Sequence, residues 1–124
     1  MNKEELRAKQ APLKNKYKED PESGIITHHA VGTISKEDVN CSVETFAGNV
    51  VSGLHPAAGS DGSEACSGDM MLEALVACAG VTFKAVSLSM GIMYEKAVIK
   101  AEGDLDYRGT LAVSKDVPVG FKNI

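Results

Sequence analysis

Apolar and polar positions divide the chain into five stretches. Residues 1–21 are dense in charge, with Leu13 and Tyr17 at i, i+4 after Pro12. They predict a helical lead-in, or two short helices divided at Pro12, closed by Pro21. Residues 22–54 alternate. Residues 24–34 are rich in β-branched side chains (Ile25, Ile26, Thr27, Val31, Thr33, Ile34). Residues 39–46 set Val39, Cys41, Val43 and Thr45 on one face, and residues 50–54 form a third apolar run. With polar turns at 35–38 and Gly48-Asn49, this predicts an antiparallel meander. Residues 55–67, with Pro56, Gly59 and Gly62, break the pattern and predict a long loop of the kind that often carries function.

Residues 68–90 are nearly all apolar or small and predict one long helix. Ser67 suits its N-cap, Asp69 complements its first-turn dipole, and Gly91 suits its C′ position. Residues 93–124 return to strand character. Ala97, Ile99 and Ala101 oppose Val98 and Lys100, residues 111–113 form a short apolar run, and residues 117–121 begin something extended. The closing Phe121-Lys122-Asn123-Ile124 reads as a strand, and a strand needs a paired edge. One small sheet covers only one side of the 68–90 helix. The remaining apolar surface therefore predicts a homodimer.

Composition narrows the class. A chain of 124 residues fits a single domain, and 44% apolar content excludes wholesale disorder. Thirteen Lys and Arg against seventeen Asp and Glu give a net charge of −4, which argues against nucleic acid as a partner. Three cysteines, an odd number, do not make a disulfide framework. With no signal-peptide pattern at the start, the expected location is a reducing cytoplasm. Glu73 and Lys84 interrupt the apolar helix, so it is read as a helix buried inside a protein and not as a membrane span. His28, His29 and His55 show no metal-ligand spacing with the cysteines, and neither metal nor cofactor is expected.

The run Cys66-Ser67-Gly68-Asp69-Met70-Met71-Leu72-Glu73-Ala74-Leu75-Val76-Ala77-Cys78-Ala79-Gly80 resembles the central helix of the OsmC/Ohr family (osmotically inducible protein C and organic hydroperoxide resistance protein). Ala101-Glu102-Gly103-Asp104-Leu105-Asp106 resembles the strand that follows that helix. Val117-Pro118-Val119-Gly120-Phe121 resembles the start of the next, and Leu54-His55-Pro56 with its Gly/Ser loop fits the OsmC-like branch. The resemblance covers about residues 20–124. It implies an α+β fold, an antiparallel sheet packed on a long central helix, and an intertwined homodimer with that helix at its interface. It also implies thiol-dependent reduction of organic hydroperoxides, in the setting of oxidative stress.

The resemblance places Cys78 at the family's reactive position. Family enzymes add an activating Arg, a Glu nine or ten residues before the Cys, and a second Cys in a C-terminal part beyond the position matching Ile124. Here the first hairpin turn offers Lys36, the arginines are Arg7 and Arg108, and Asp69 stands nearest the Glu position. Cys66 becomes the candidate resolving thiol.

Chemistry constrains these roles. The attacking species is the thiolate, which becomes a sulfenic acid. Cys78 lies roughly 15 Å inside the helix, beyond the reach of the dipole, so a cation must approach it from elsewhere; Lys36 and Arg108 are the candidates. Asp69 precedes Cys78 by nine residues, about 13 Å, and acts only across a two-fold axis or through a bridging cation. Cys66 and Cys78 are about 15 Å or more apart, beyond the roughly 7 Å Cα limit of a disulfide, unless the bridge joins two subunits. Cys41 is expected in the core. Gly80 suggests close approach of two helices.

Two functions follow. One is an OsmC-like hydroperoxide reductase, with Cys78 attacking an organic peroxide and an external thiol or Cys66 recycling it. The other is a catalytically impaired scaffold that binds a small apolar ligand or another protein.

Overall fold

Residues 1–124 are described by a computed structural model, and the fold is α+β. Helix α1 spans Lys3–Glu19. Its start is a reciprocal capping box: the Glu5 N–H donates to Asn2 Oδ1 and the Asn2 N–H to Glu5 Oε2, each at 2.9 Å. Glu4 and Glu5 open it and Lys16 and Lys18 close it, matching the helix dipole at both ends. Of the two alternatives, one helix or two divided at Pro12, the single helix is found. The helix runs through Pro12, and its exposed backbone leaves the carbonyl freed by that residue open to water.

Strands β1 (Gly32–Ile34), β2 (Cys41–Thr45) and β3 (Gly48–Gly53) form the expected antiparallel meander, with Ile34 opposite Cys41 and Val43 opposite Val50. The β2–β3 turn uses Gly48 at φ 118°, a backbone that L side chains avoid. A fourth strand, β4 (Ala65–Cys66), pairs parallel with β3 through Ser52–Ala65 and Gly53–Cys66. The sheet is therefore mixed, not wholly antiparallel as expected. The long loop doubles back along β3, and this sets β4 beside it in the same direction.

Helix α2 spans Ser67–Met90. It stops where the sequence predicts, in a Schellman arrangement. Gly91 takes φ 73°, its N–H donates to Leu88 O, and the Ile92 N–H donates to Ser87 O at 2.9 Å. A second, two-stranded sheet joins β5 (Asp104–Leu105) to β6 (Phe121–Asn123), with the short helix α3 (Tyr107–Thr110) between them.

Two sequence expectations shrink. Residues 24–34 contribute only the three residues of β1, and residues 94–102 form no strand. Both have strand-like composition, but no neighbouring strand within the chain offers the hydrogen bonds that would fix them as sheet. The run 111–113 follows α3 as a turn, with Ala112 at φ 57°.

The chain divides into two compact units: Met1–His29 with Cys78–Ile99, and Ala30–Ala77 with Lys100–Ile124. No apolar side chain is fully buried in either. On α2 the half-covered positions Leu72, Val76, Ala79 and Gly80 follow helical spacing. Met71, Leu75, Val81, Phe83, Val86 and Met90 are exposed. The expectation that this helix is buried on most sides is therefore not met within one chain; only Ser87 is fully covered. By length and composition α2 is apolar enough to cross a membrane. It carries Asp69, Glu73 and Lys84 along its length, and its own chain leaves it largely exposed.

Candidate functional site

In the unit Ala30–Ala77 with Lys100–Ile124, a cavity of about 320 Å³ gathers His55, Cys66, Asp69, Leu105, Tyr107 and Phe121. Each wall has a local cause. His55 caps the 3-10 turn Pro56–Ala58, its Nδ1 accepting the Ala57 N–H at 3.0 Å. Pro56 sits at the first turn position, where its missing N–H is harmless, and Gly59 ends the turn at φ 102°. The far end of the loop is held by Asn40, whose side-chain amide donates to Glu64 Oε1 at 2.7 Å. This fixes the approach to β4, so Cys66 emerges at the last strand residue, directly before α2.

The opposite wall comes from the second sheet. Gly103 lies so close to the Phe121 ring that an added Cβ would meet Phe121 Cδ1 at 2.7 Å, and β6 is thereby seated against β5. Asp106 caps α3, accepting the Arg108 N–H at 3.1 Å, and turns Tyr107 toward the cavity. The Tyr107 ring stacks on His55, with centroids 5.4 Å apart and planes inclined by 28°.

The electrostatics of the cavity are specific. His55 Nδ1 acts as an acceptor, so the neutral ring carries its proton on Nε2. Partial burial pushes the Tyr107 phenol up from its ordinary value, and the negative charges of Cys66 and Asp69 push it further the same way. Tyr107 is therefore a protonated donor.

Of the residues singled out from sequence, Cys66 and Asp69 line this one cavity. Lys36 stands exposed in the β1–β2 turn. Arg108 is engaged by Asp106: its Nε donates to Oδ1 at 3.0 Å, and a terminal guanidinium nitrogen to Oδ2 at 2.6 Å. These bonds, with the Arg108 backbone N–H, hold the Asp106 carboxyl at about 2. Cys78 belongs to the other unit and is an exposed free thiol. Because α2 is unbroken from Ser67 to Met90, Asp69 and Cys78 remain about 13 Å apart along it. Cys41, expected in the core, is half-buried and lines a separate open cleft with Ile34, Val39 and Leu54.

His55 and Tyr107 were not expected as site residues. Their signals were faint: a His-Pro pair opening a loop, and an Asp N-cap placed before a Tyr. The chain matches no protein-family model and no curated protein.

Proposed function

We propose that the chain is an OsmC-like, thiol-dependent organic hydroperoxide reductase that works as a cytoplasmic homodimer, with Cys78 as the attacking thiol. The observation that carries this reading is the pairing of an exposed thiol at mid-length on α2 with an apolar helix that its own chain does not cover. Ala77, Ala79 and Gly80 flank the sulfur with small side chains, which leave it accessible to a substrate. A second copy supplies the cover, and the unpaired strand-like runs at 24–31 and 97–101 are edges such a copy can use. An external thiol returns the sulfenic acid to the reduced state. Peroxide consumption by the reduced protein, with dithiothreitol as reductant and cumene hydroperoxide as substrate, tests the assignment. Turnover is expected in the wild type and is lost in Cys78→Ser. Equal turnover in both would remove Cys78 from the mechanism.

The second reading is a scaffold that keeps the architecture and binds a small apolar ligand or a protein. The engagement of Arg108 by Asp106 favours it, because that guanidinium is already committed. A wild-type protein that consumes no peroxide under those conditions would select this reading.

A further inference from the structure

In the unit Met1–His29 with Cys78–Ile99, a different cavity lies between the start of α1 and the end of α2. Lys3 and Lys84 both line it, and neither is paired with a carboxylate. We propose that this cavity of about 270 Å³ binds a small monocarboxylate with an apolar body, its charge held between the Lys3 and Lys84 ammonium groups. The inference is independent of the hydroperoxide reductase reading, because no cysteine lines the cavity.

Two helices bring the cations to one place. The Lys3 ammonium, from the first residue of α1, reaches the end of α2: it stands 3.6 Å from where a Cβ on Gly91 would lie. The Lys84 ammonium lies over the Tyr94 ring, 5.2 Å from its centroid. Phe83 packs on the same ring, with centroids 5.2 Å apart and planes inclined by 52°, and so restrains it. The end of α2 carries partial negative charge and has no basic residue in its last turn, which accounts for a cation at Lys3. It does not account for Lys84. The dipole fades beyond the last turn, and Lys84 lies six residues before Met90, roughly 9 Å back along the helix. The carbonyls of Ser87 and Leu88 are already taken by the Ile92 and Gly91 N–H groups.

The lining selects the ligand. No Asp or Glu lines the cavity, so the two positive charges meet no anion of the chain there. Their unit holds eight Lys and Arg against six Asp and Glu, a positive surplus in a chain of net charge −4. Such a field draws an anion and repels a cation. Ser87 also lines the cavity and is only 2% exposed. Its hydroxyl makes no hydrogen bond within the chain and is not sealed off, so it is free for a ligand oxygen. Leu88, Ile92 and Met93 supply apolar wall. An inorganic anion would leave those side chains uncovered, whereas an apolar body with a carboxylate at one end covers them and meets the cations. The volume falls just below the roughly 300–1,000 Å³ of pockets for drug-sized ligands, which limits that body to a single ring or a short chain.

The test is an NMR titration of the full chain, isotopically labelled at its methionine methyl groups, with benzoate as the probe. Met93 reports from the cavity wall, and Met71, in the other unit, is the control. Benzoate is expected to shift the Met93 signal saturably, with a low-millimolar or tighter Kd, and to leave Met71 in place. Binding should weaken as sodium chloride is raised. Benzyl alcohol, which keeps the ring without the charge, and inorganic phosphate, which keeps charge without the ring, should each bind about threefold or more weakly than benzoate. Lys3→Gln and Lys84→Gln should each weaken benzoate about threefold or more, while Lys84→Arg, which keeps the charge over the Tyr94 ring, stays close to the wild type. No saturable shift at Met93, or wild-type affinity in either glutamine variant, would overturn the proposal. Benzyl alcohol binding as tightly as benzoate would overturn the role of the two lysines, and phosphate doing so would overturn the apolar body. A loss in Lys84→Arg as large as in Lys84→Gln would overturn the role of charge at that position.

Discussion

His55 and Tyr107, from the two separate chain segments of their unit, stack with ring centroids 5.4 Å apart. The contact ties the start of the 55–67 loop to α3. A stacked ring pair contributes about 0.5–1.5 kcal/mol beyond its area burial. Tyr107→Ala is therefore expected to lower stability by at least about 1 kcal/mol, while Tyr107→Phe keeps the ring and stays within about 0.5 kcal/mol of the wild type. Urea unfolding of the two variants checks this. A Tyr107→Phe loss as large as that of Tyr107→Ala would shift the credit from the ring to the hydroxyl.

The Asp106–Arg108 pair gives the fold a defined acid response. The Asp106 carboxyl is held at about 2, below its ordinary 3.8, chiefly by hydrogen bonds from the Arg108 side chain and then by the Arg108 backbone N–H. A carboxylate with a lowered folded pKa contributes stability that is complete above its unfolded value and is lost as pH falls through the folded one. The difference in Tm between wild type and Asp106→Asn should be constant above about pH 5 and shrink between about pH 4 and pH 2. A gap that widens on acidification would reverse the sign and remove the pair as its cause.

Much of the architecture was written locally. The apolar run from Met70 onward, with Gly91 after it, marks α2 because helix formation and termination depend on neighbours in sequence. The alternation around Cys41 and Val43, with Gly48 at the turn, marks the β2–β3 hairpin for the same reason. Residues 94–102 alternate equally well yet form no strand. A strand exists only where a partner supplies hydrogen bonds, and no local pattern announces that partner. The candidate site divides along the same line. Cys66, Asp69 and Cys78 stand out because they lie in one continuous motif. His55 and Tyr107 meet only through the return of the second sheet, which sequence spacing does not reveal.

Two glycines separate steric from conformational demand. Gly109 is buried, and an added Cβ would collide with the Pro118 carbonyl oxygen, with the Pro118 carbonyl carbon only 2.9 Å away. Both atoms are backbone and cannot rotate aside. Gly109→Ala should cost about 1–3 kcal/mol, as overpacking does. Gly91 has space but a left-handed backbone, so Gly91→Ala should cost about 1 kcal/mol, and Gly91→Asn less. Thermal unfolding of the three variants orders them. Gly91→Ala exceeding Gly109→Ala would make conformation, not contact, the larger constraint.

Gly80 tests the homodimer directly. It lies at mid-length on α2, where a glycine costs about 1 kcal/mol relative to Ala. Within the chain an added Cβ would meet only Ile99 Cδ1, at an ordinary 4.0 Å. Nothing in the single chain therefore requires glycine there. The requirement arises if a second copy brings a helix close to this face, as the exposed Val81 and Phe83 beside it invite. Gly80→Leu is expected to move sedimentation from dimer toward monomer and to make Tm depend on protein concentration more steeply than in the wild type. If the proposed homodimer forms, the wild type itself should lose stability on dilution, since one chain leaves its apolar residues exposed. A Gly80→Leu protein that stays dimeric with wild-type concentration dependence would place the contact on another face of α2, and the exposed stripe through Met71 and Leu75 would be the next to substitute.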